Sequence, residues 1–134
     1  MLKAGDPLIL DTSVIIAGFK RDPEVLASFG SAGTLYVPVT VYGEPYTGAL
    51  KSATPEKKLE QLAEFMKAAV LLDVDWSTAQ HYGRLRKQLE ENGTPIPEND
   101  IWIAAITVQY GHKLFSADAH FDRIGELNLE SFQQ

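Results

Sequence analysis

The hydrophobic positions of the chain form two kinds of run, short continuous ones and longer ones with helical spacing. The short runs predict β-strands, and they cover residues 8–10, 35–37, 70–72 and 113–115. None of them alternates apolar and polar residues, which is typical of strands that are covered on both faces of a sheet. The sequence therefore predicts short, buried strands.

Between these strands, apolar residues recur every three or four positions, a spacing that predicts helices. The predicted helices begin near residues 13, 22, 40, 54, 75 and 101, and a turn or short helix is predicted at 119–124. The segment 40–51 is predicted to be interrupted at Pro45, because proline removes a backbone donor and disfavours an α conformation at Glu44. Thr12 or Ser13 is the predicted cap of the first helix.

Strands that alternate with helices predict an α/β fold with a parallel sheet and helices on both faces. We find no internal repeat, low-complexity tract or Ser/Gly linker, so residues 1–134 are predicted to form one domain. A chain of this length can bury a full core without disulfides.

Composition narrows the class of protein further. The absence of cysteine excludes thiol chemistry and cysteine zinc sites. No apolar run approaches the roughly 18 residues of a membrane span, and residues 1–6 lack the layout of a signal peptide, so we expect a cytoplasmic protein without a membrane partner. The net charge of −6 argues against binding nucleic acid by bulk electrostatics.

Four acids occupy positions where chemistry is expected: Asp11, Glu44, Asp100 and Asp118. Each follows a predicted strand or lies near a helix start, and in parallel α/β folds ligands gather beyond the carboxyl ends of the strands. Carboxylates brought together repel one another unless a divalent cation is present, and oxygen ligands select hard cations such as Mg²⁺ or Mn²⁺.

Each acid also has an ordinary structural explanation. Asp11 could cap a helix, Asp100 could lie in a first helical turn and Asp118 could occupy a turn. Glu44 is harder to explain in this way, because it stands among apolar and small residues. A receiver module is disfavoured because Asp11 lacks an acidic neighbour, and a dehalogenase-type phosphatase is disfavoured because residue 13 is serine.

Three ordered stretches carry a family resemblance: residues 10–15, 95–105 and 116–124. Because these three stretches occur together and in this order, the chain resembles the PIN-domain metal-dependent ribonucleases, and especially the VapC-type toxins of bacterial toxin–antitoxin pairs. The resemblance implies a three-layer α/β/α fold with a short central parallel sheet. It also implies cleavage of RNA phosphodiester bonds with the help of Mg²⁺ or Mn²⁺.

The resemblance assigns roles to the acids one by one. Asp11 resembles the first metal-ligating aspartate, Asp100 the second principal ligand and Asp118 the third acid. Glu44 takes the place of the glutamate after the second strand. Asp118 and Glu44 are expected to bind a second ion or to orient water.

The same resemblance implies hydroxyl groups near the metal-ligating acids, and the sequence departs from the family pattern at two positions. Thr12 or Ser13 is expected as a hydroxyl near the first aspartate, and Ser116 matches the small hydroxyl residue two positions before the third. Pro45 interrupts the helical Glu-Leu pair usual in the family. His120 stands where many members have an acid. We expect it to be a solvent-exposed turn histidine, and a metal ligand or a proton-transfer group is the alternative.

Partners are implied by the resemblance as well: an RNA substrate, a small cognate antitoxin and a second copy in a homodimer. The early helices carry apolar side chains that could receive an antitoxin segment or serve the core: Val14, Ile15, Phe19, Val25, Leu26 and Phe29. A housekeeping RNA-processing nuclease and a catalytically weakened RNA- or protein-binding domain are the alternatives.

Overall fold

The sheet has five strands in the computed structural model, which describes residues 2–132. They are β1 (Pro7–Leu10), β2 (Thr34–Pro38), β3 (Ala69–Leu72), β4 (Lys113–Ser116) and β5 (Leu129–Ser131). Their order is β3-β2-β1-β4-β5, and every neighbouring pair is parallel. The central strand β1 pairs Leu8 with Leu35 on one side and with Lys113 on the other.

Helices flank this sheet, which confirms the predicted three-layer α/β architecture. They are α1 (Thr12–Phe19), α2 (Pro23–Ser31), α3 (Val39–Lys51), α4 (Pro55–Lys67), α5 (Trp76–Glu91) and α6 (Glu98–Tyr110), with a 3₁₀ helix at Ala119–Arg123. Capping interactions explain where several of these helices begin or end. Asp22 caps α2 ahead of Pro23, Asp75 forms a capping box with Thr78, and Gly111 closes α6 at φ 71°.

The predicted break at Pro45 is wrong, because α3 runs without interruption through it. Proline removes one donor from the helix, but α3 contacts α1, α4 and α6. Packing against neighbouring helices supplies most helical stability in proteins, so it outweighs the loss of one hydrogen bond. Glu44 consequently lies on a regular helical surface.

The core covers the middle of the sheet and leaves one edge open. Ile9, Leu10 and Leu114 are fully buried, as predicted for strands covered on both faces. Edge strand β3 differs, because Val70 and Leu71 are 47% and 48% exposed. Among residues 2–132, no helix is both long and apolar enough to cross a membrane.

Candidate metal centre

Asp11 is the first residue after β1 and lies at the carboxyl edge of the sheet. Its carboxylate accepts a hydrogen bond from the backbone N–H of Ser13, so Asp11 itself caps α1. The predicted cap at Thr12 or Ser13 is therefore off by one or two residues. Only 4% of Asp11 is exposed, so this carboxylate is part of the interior rather than the surface.

Two serine hydroxyls fix the Asp11 carboxylate. Ser116 Oγ, at the end of β4, donates to Asp11 Oδ2, and Ser13 Oγ donates to Oδ1 at 2.7 Å. Each serine oxygen also accepts from the chain that follows β4: the Asp118 N–H bonds Ser116 Oγ and the Ala117 N–H bonds Ser13 Oγ, both at 2.9 Å. The network joins the start of α1 to the end of β4.

Thr12 has no share in this network. Its Oγ1 is buried and makes no hydrogen bond within residues 2–132. Of the two hydroxyls expected near Asp11, the structure therefore places that of Ser13, and not that of Thr12, against the carboxylate.

Asp100, Asp118 and His120 form the most compact group of potential ligands. One ligand atom from each lies within 4.8 Å of the others. His120 Nδ1 is 2.9 Å from Asp100 Oδ2 and 3.0 Å from Asp118 Oδ1. The Asp100 side chain is 15% exposed and that of Asp118 is 34% exposed, so the group is open to solvent on one side.

Helix α6 begins earlier than its apolar pattern indicates, and this brings Asp100 into the group. The predicted start was residue 101, whereas the helix begins at Glu98. The polar first turn hides this start in the sequence, because helical periodicity becomes visible only at Ile101. Asp100 consequently lies in the first turn, where a carboxylate also complements the helix dipole.

The electrostatics of the acids reflect their burial and proximity. Burial raises the pKa of Asp11, while hydrogen bonds from Ser116 and Ser13 oppose the rise. Burial also raises the pKa of Asp100; the His120 hydrogen bond opposes this rise, whereas the negative charges of Asp118 and Asp11 add to it. Ionisation of these carboxylates is therefore costly in the absence of a cation.

Glu44 lies beside this centre without joining it. Its Oε1 accepts a hydrogen bond from Asn99 Nδ2 at 3.3 Å, and the same amide nitrogen lies 3.3 Å from the carbonyl oxygen of Thr40, to which it also donates. Asn99 immediately precedes Asp100, so Glu44 contacts the start of α6. Its exposed carboxylate is outside the close group of Asp100, Asp118 and His120.

His120 is the residue of the cluster whose surroundings the sequence predicts incorrectly. The expected solvent-exposed turn histidine is instead half-buried, and its ring contacts two acids. Its backbone N–H donates to Asp118 Oδ1 at 2.8 Å, which makes Asp118 the cap of the 3₁₀ helix. A capping aspartate followed two residues later by histidine is the local signal that could have indicated this contact.

The chemistry of this donor set fits a hard divalent cation. Carboxylate oxygens are the ligands that Mg²⁺ and Mn²⁺ prefer. The buried Asp11 carboxylate and the partly buried Asp100 carboxylate would regain favourable interactions when a cation faces them. Asp100, Asp118 and His120 are the residues that could hold it. Asp11, whose carboxylate is oriented by Ser13 and Ser116, lies outside this close group.

Comparisons with known proteins show which proteins the chain is similar to. The family model of the PIN domain matches residues 8–127. "Ribonuclease VapC2" of Haemophilus influenzae is 35% identical over 127 residues, covering 92% of this chain and 96% of that protein. The "tRNA(fMet)-specific endonuclease VapC" of Shigella flexneri is 29% identical over the same length.

Solved structures give the same result. DNA-bound VapBC from Salmonella typhimurium superposes with a TM-score of 0.87 at 28% identity, covering 94% of this chain and 98% of that one. VapBC-1 from nontypeable Haemophilus influenzae gives 0.84 at 26% identity, covering 93% and 97%.

Proposed function

The chain belongs to the PIN-domain family, and on that premise we propose that it is a divalent-metal-dependent endoribonuclease and the toxin of a type II toxin–antitoxin pair. The observation that carries the proposal is the close group of Asp100, Asp118 and His120, with Asp11 near enough for its negative charge to act on Asp100. The relatives named as VapC ribonucleases support the substrate class, and the similarity to a solved member of the VapBC family of toxin-antitoxin systems supports the toxin role. A homodimer is the proposed assembly.

The acids have distinct roles in the proposed reaction. When bound, a divalent cation would make a water more acidic and would neutralise charge on the phosphodiester. Asp11 and Asp100 would hold this cation, while Asp118 and Glu44 would hold a second one or orient the attacking water. Ser116 and Ser13 keep the Asp11 carboxylate in one orientation before any ligand arrives, so little reorganisation is needed during the reaction.

Chelation tests the proposed metal dependence. We expect the purified chain to cleave a labelled single-stranded RNA in Mn²⁺ or Mg²⁺, to lose this activity in EDTA, and to regain it when excess metal is added. Cleavage that persists in EDTA would contradict metal dependence. A folded chain that binds RNA but cleaves none with either metal would instead support the catalytically weakened domain.

The proposed antitoxin has a candidate surface that includes Glu44. A cavity of about 200 Å³ lies between α1, α3 and α4, and its lining includes Ile16, Phe19, Leu62 and Glu44. Ile16 and Phe19 are 41% and 42% exposed. Leu26 is also exposed, but Val14, Ile15 and Val25 are buried in the core, so only part of the apolar set expected from the sequence is available to a partner.

The cavity between α1, α3 and α4 forms an apolar groove that contains one acidic residue. Such a groove suits a partner segment that combines apolar side chains with a basic one. Glu44 provides the negative charge at the groove, and an Arg or Lys directed towards the neighbouring carboxylates would compete with the cation. We therefore propose that the antitoxin inhibits cleavage from this groove.

Co-expression with the adjacent reading frame tests this partner. We expect its product to co-purify with the chain and to suppress cleavage, and Phe19→Asp to weaken both effects because it places a charge in the groove. Leu50→Asp is the matched control, since Leu50 is 53% exposed on α3 and does not line the groove. A product that neither co-purifies nor inhibits would favour a stand-alone nuclease.

A further inference from the structure

His120 is positioned as a metal ligand would be. Its Nδ1 lies 2.9 Å from Asp100 Oδ2 and 3.0 Å from Asp118 Oδ1. Adjacent ligands of an octahedral ion with bonds of about 2.1 Å are separated by about 3.0 Å. The nitrogen is therefore already spaced from each of the two oxygens as neighbouring corners of a coordination shell are.

The backbone keeps the imidazole in this position. Asp118 caps the 3₁₀ helix through the N–H of His120, and the next residue, Phe121, is fully buried and fixes the helix to the core. These two attachments limit the movement of the residue between them. The His120 ring consequently belongs to the same built cluster as Asp100 and Asp118.

We infer that His120 ligates the divalent ion through Nδ1 and gives the centre a preference for Mn²⁺ over Mg²⁺. Imidazole nitrogen suits transition metals, whereas Mg²⁺ favours an all-oxygen shell. This inference rests on the proposed metal-dependent function, because it concerns which ion that function uses. It adds a nitrogen ligand and a direction of metal preference that the acids alone do not provide.

Electron spin-echo spectroscopy of the Mn²⁺-loaded full chain tests the coordination without any substitution. We expect modulation from a directly bound ¹⁴N, and we expect it to change when histidine alone is labelled with ¹⁵N. Bound Mn²⁺ without nitrogen coupling would overturn the inference and leave the proposed nuclease intact. Failure of Mn²⁺ to bind at all would contradict the inference, and failure of Mg²⁺ to bind as well would also contradict the metal dependence.

Calorimetric titration with Mn²⁺ and with Mg²⁺ tests the preference. We expect His120→Asp, which replaces nitrogen by oxygen, to weaken Mn²⁺ binding by at least about tenfold while leaving Mg²⁺ binding equal or tighter. His81→Gln is the matched control, because His81 lies on α5 beside Arg84, and it should retain wild-type affinities. Equal losses for both metals in His120→Asp would show that the residue does not select the ion.

Discussion

Replacing Asp100 by Asn is expected to lower RNA cleavage by about 10²–10³-fold and to raise the melting temperature of the metal-free protein. The activity falls because the substitution removes a negatively charged ligand from the proposed centre. The stability rises because burial, together with the charges of Asp118 and Asp11, disfavours ionised Asp100. Opposite effects on activity and stability are typical of residues that serve a reaction rather than the fold.

The pH dependence of the stability gain has a defined sign. The pKa of Asp100 in the folded protein is raised above its ordinary value of 3.8, so the folded state binds this proton more tightly than the unfolded state. The free energy of unfolding of the wild type therefore falls as the pH rises from the unfolded-state pKa to the folded-state pKa of Asp100. Above the folded-state pKa the full destabilisation by ionised Asp100 is present. Because asparagine does not titrate, its advantage should be small near about pH 4 and full near about pH 7.5.

Thermal unfolding in EDTA, followed by a cleavage assay on the same preparation, measures both effects. Glu98→Gln is the matched control, since Glu98 is the other acid in the first turn of α6. Its exposed carboxylate accepts a hydrogen bond from the Tyr82 hydroxyl and does not belong to the metal centre. The substitution removes the same interaction with the helix dipole and should leave cleavage intact. Wild-type activity in Asp100→Asn, or a melting temperature below that of the wild type, would contradict the assignment of Asp100.

Mn²⁺ or Mg²⁺ is expected to raise the melting temperature of the wild-type protein by several degrees at millimolar concentration. An ion that binds only the folded state stabilises it by about 2.7 kcal/mol when its concentration is 100 times its dissociation constant. It also relieves the repulsion among the acids at the carboxyl edge of the sheet. The gain should be largely absent in Asp100→Asn, which both lacks a ligand and carries less repulsion.

Melting curves recorded in Mn²⁺ and in NaCl of equal ionic strength separate specific binding from general screening. The control variant Glu98→Gln should show the wild-type gain, because its acid lies outside the group of ligand atoms. An unchanged melting temperature across millimolar Mn²⁺ would count against a metal centre at these residues.

The sequence could predict those parts of the centre that depend on local pattern. Asp11 directly follows a continuous apolar strand, and Asp118 follows another, so the parallel fold alone predicts that they share an edge. The position of His120 was not predictable in this way, because it depends on how the 3₁₀ helix turns after Asp118. Contacts made by irregular backbone leave no periodic signal.

Two errors in the predicted secondary structure have the same physical origin: the structure of a segment depends on the elements that pack against it. Pro45 predicts a break, but α3 is held by packing against other helices. Strand β5 was not predicted, because its three residues include Glu130 and form no apolar run; it exists through its pairing with β4. Propensity and pattern describe a segment alone, whereas these segments are determined by what surrounds them.

The position of β1 in the middle of the sheet has a consequence for the order of synthesis. One of its two partner strands, β4, comes from residues 113–116, and the Ser116 hydroxyl that fixes Asp11 is 105 positions away along the chain. Chains emerge from the ribosome amino terminus first, at roughly 5–20 residues per second. A nascent chain that already carries Asp11 therefore cannot complete the Asp11 network until the 105 positions up to Ser116 have also emerged. Throughout that interval the proposed centre is absent, and the proposed partner, if translated alongside, has that time in which to fold first.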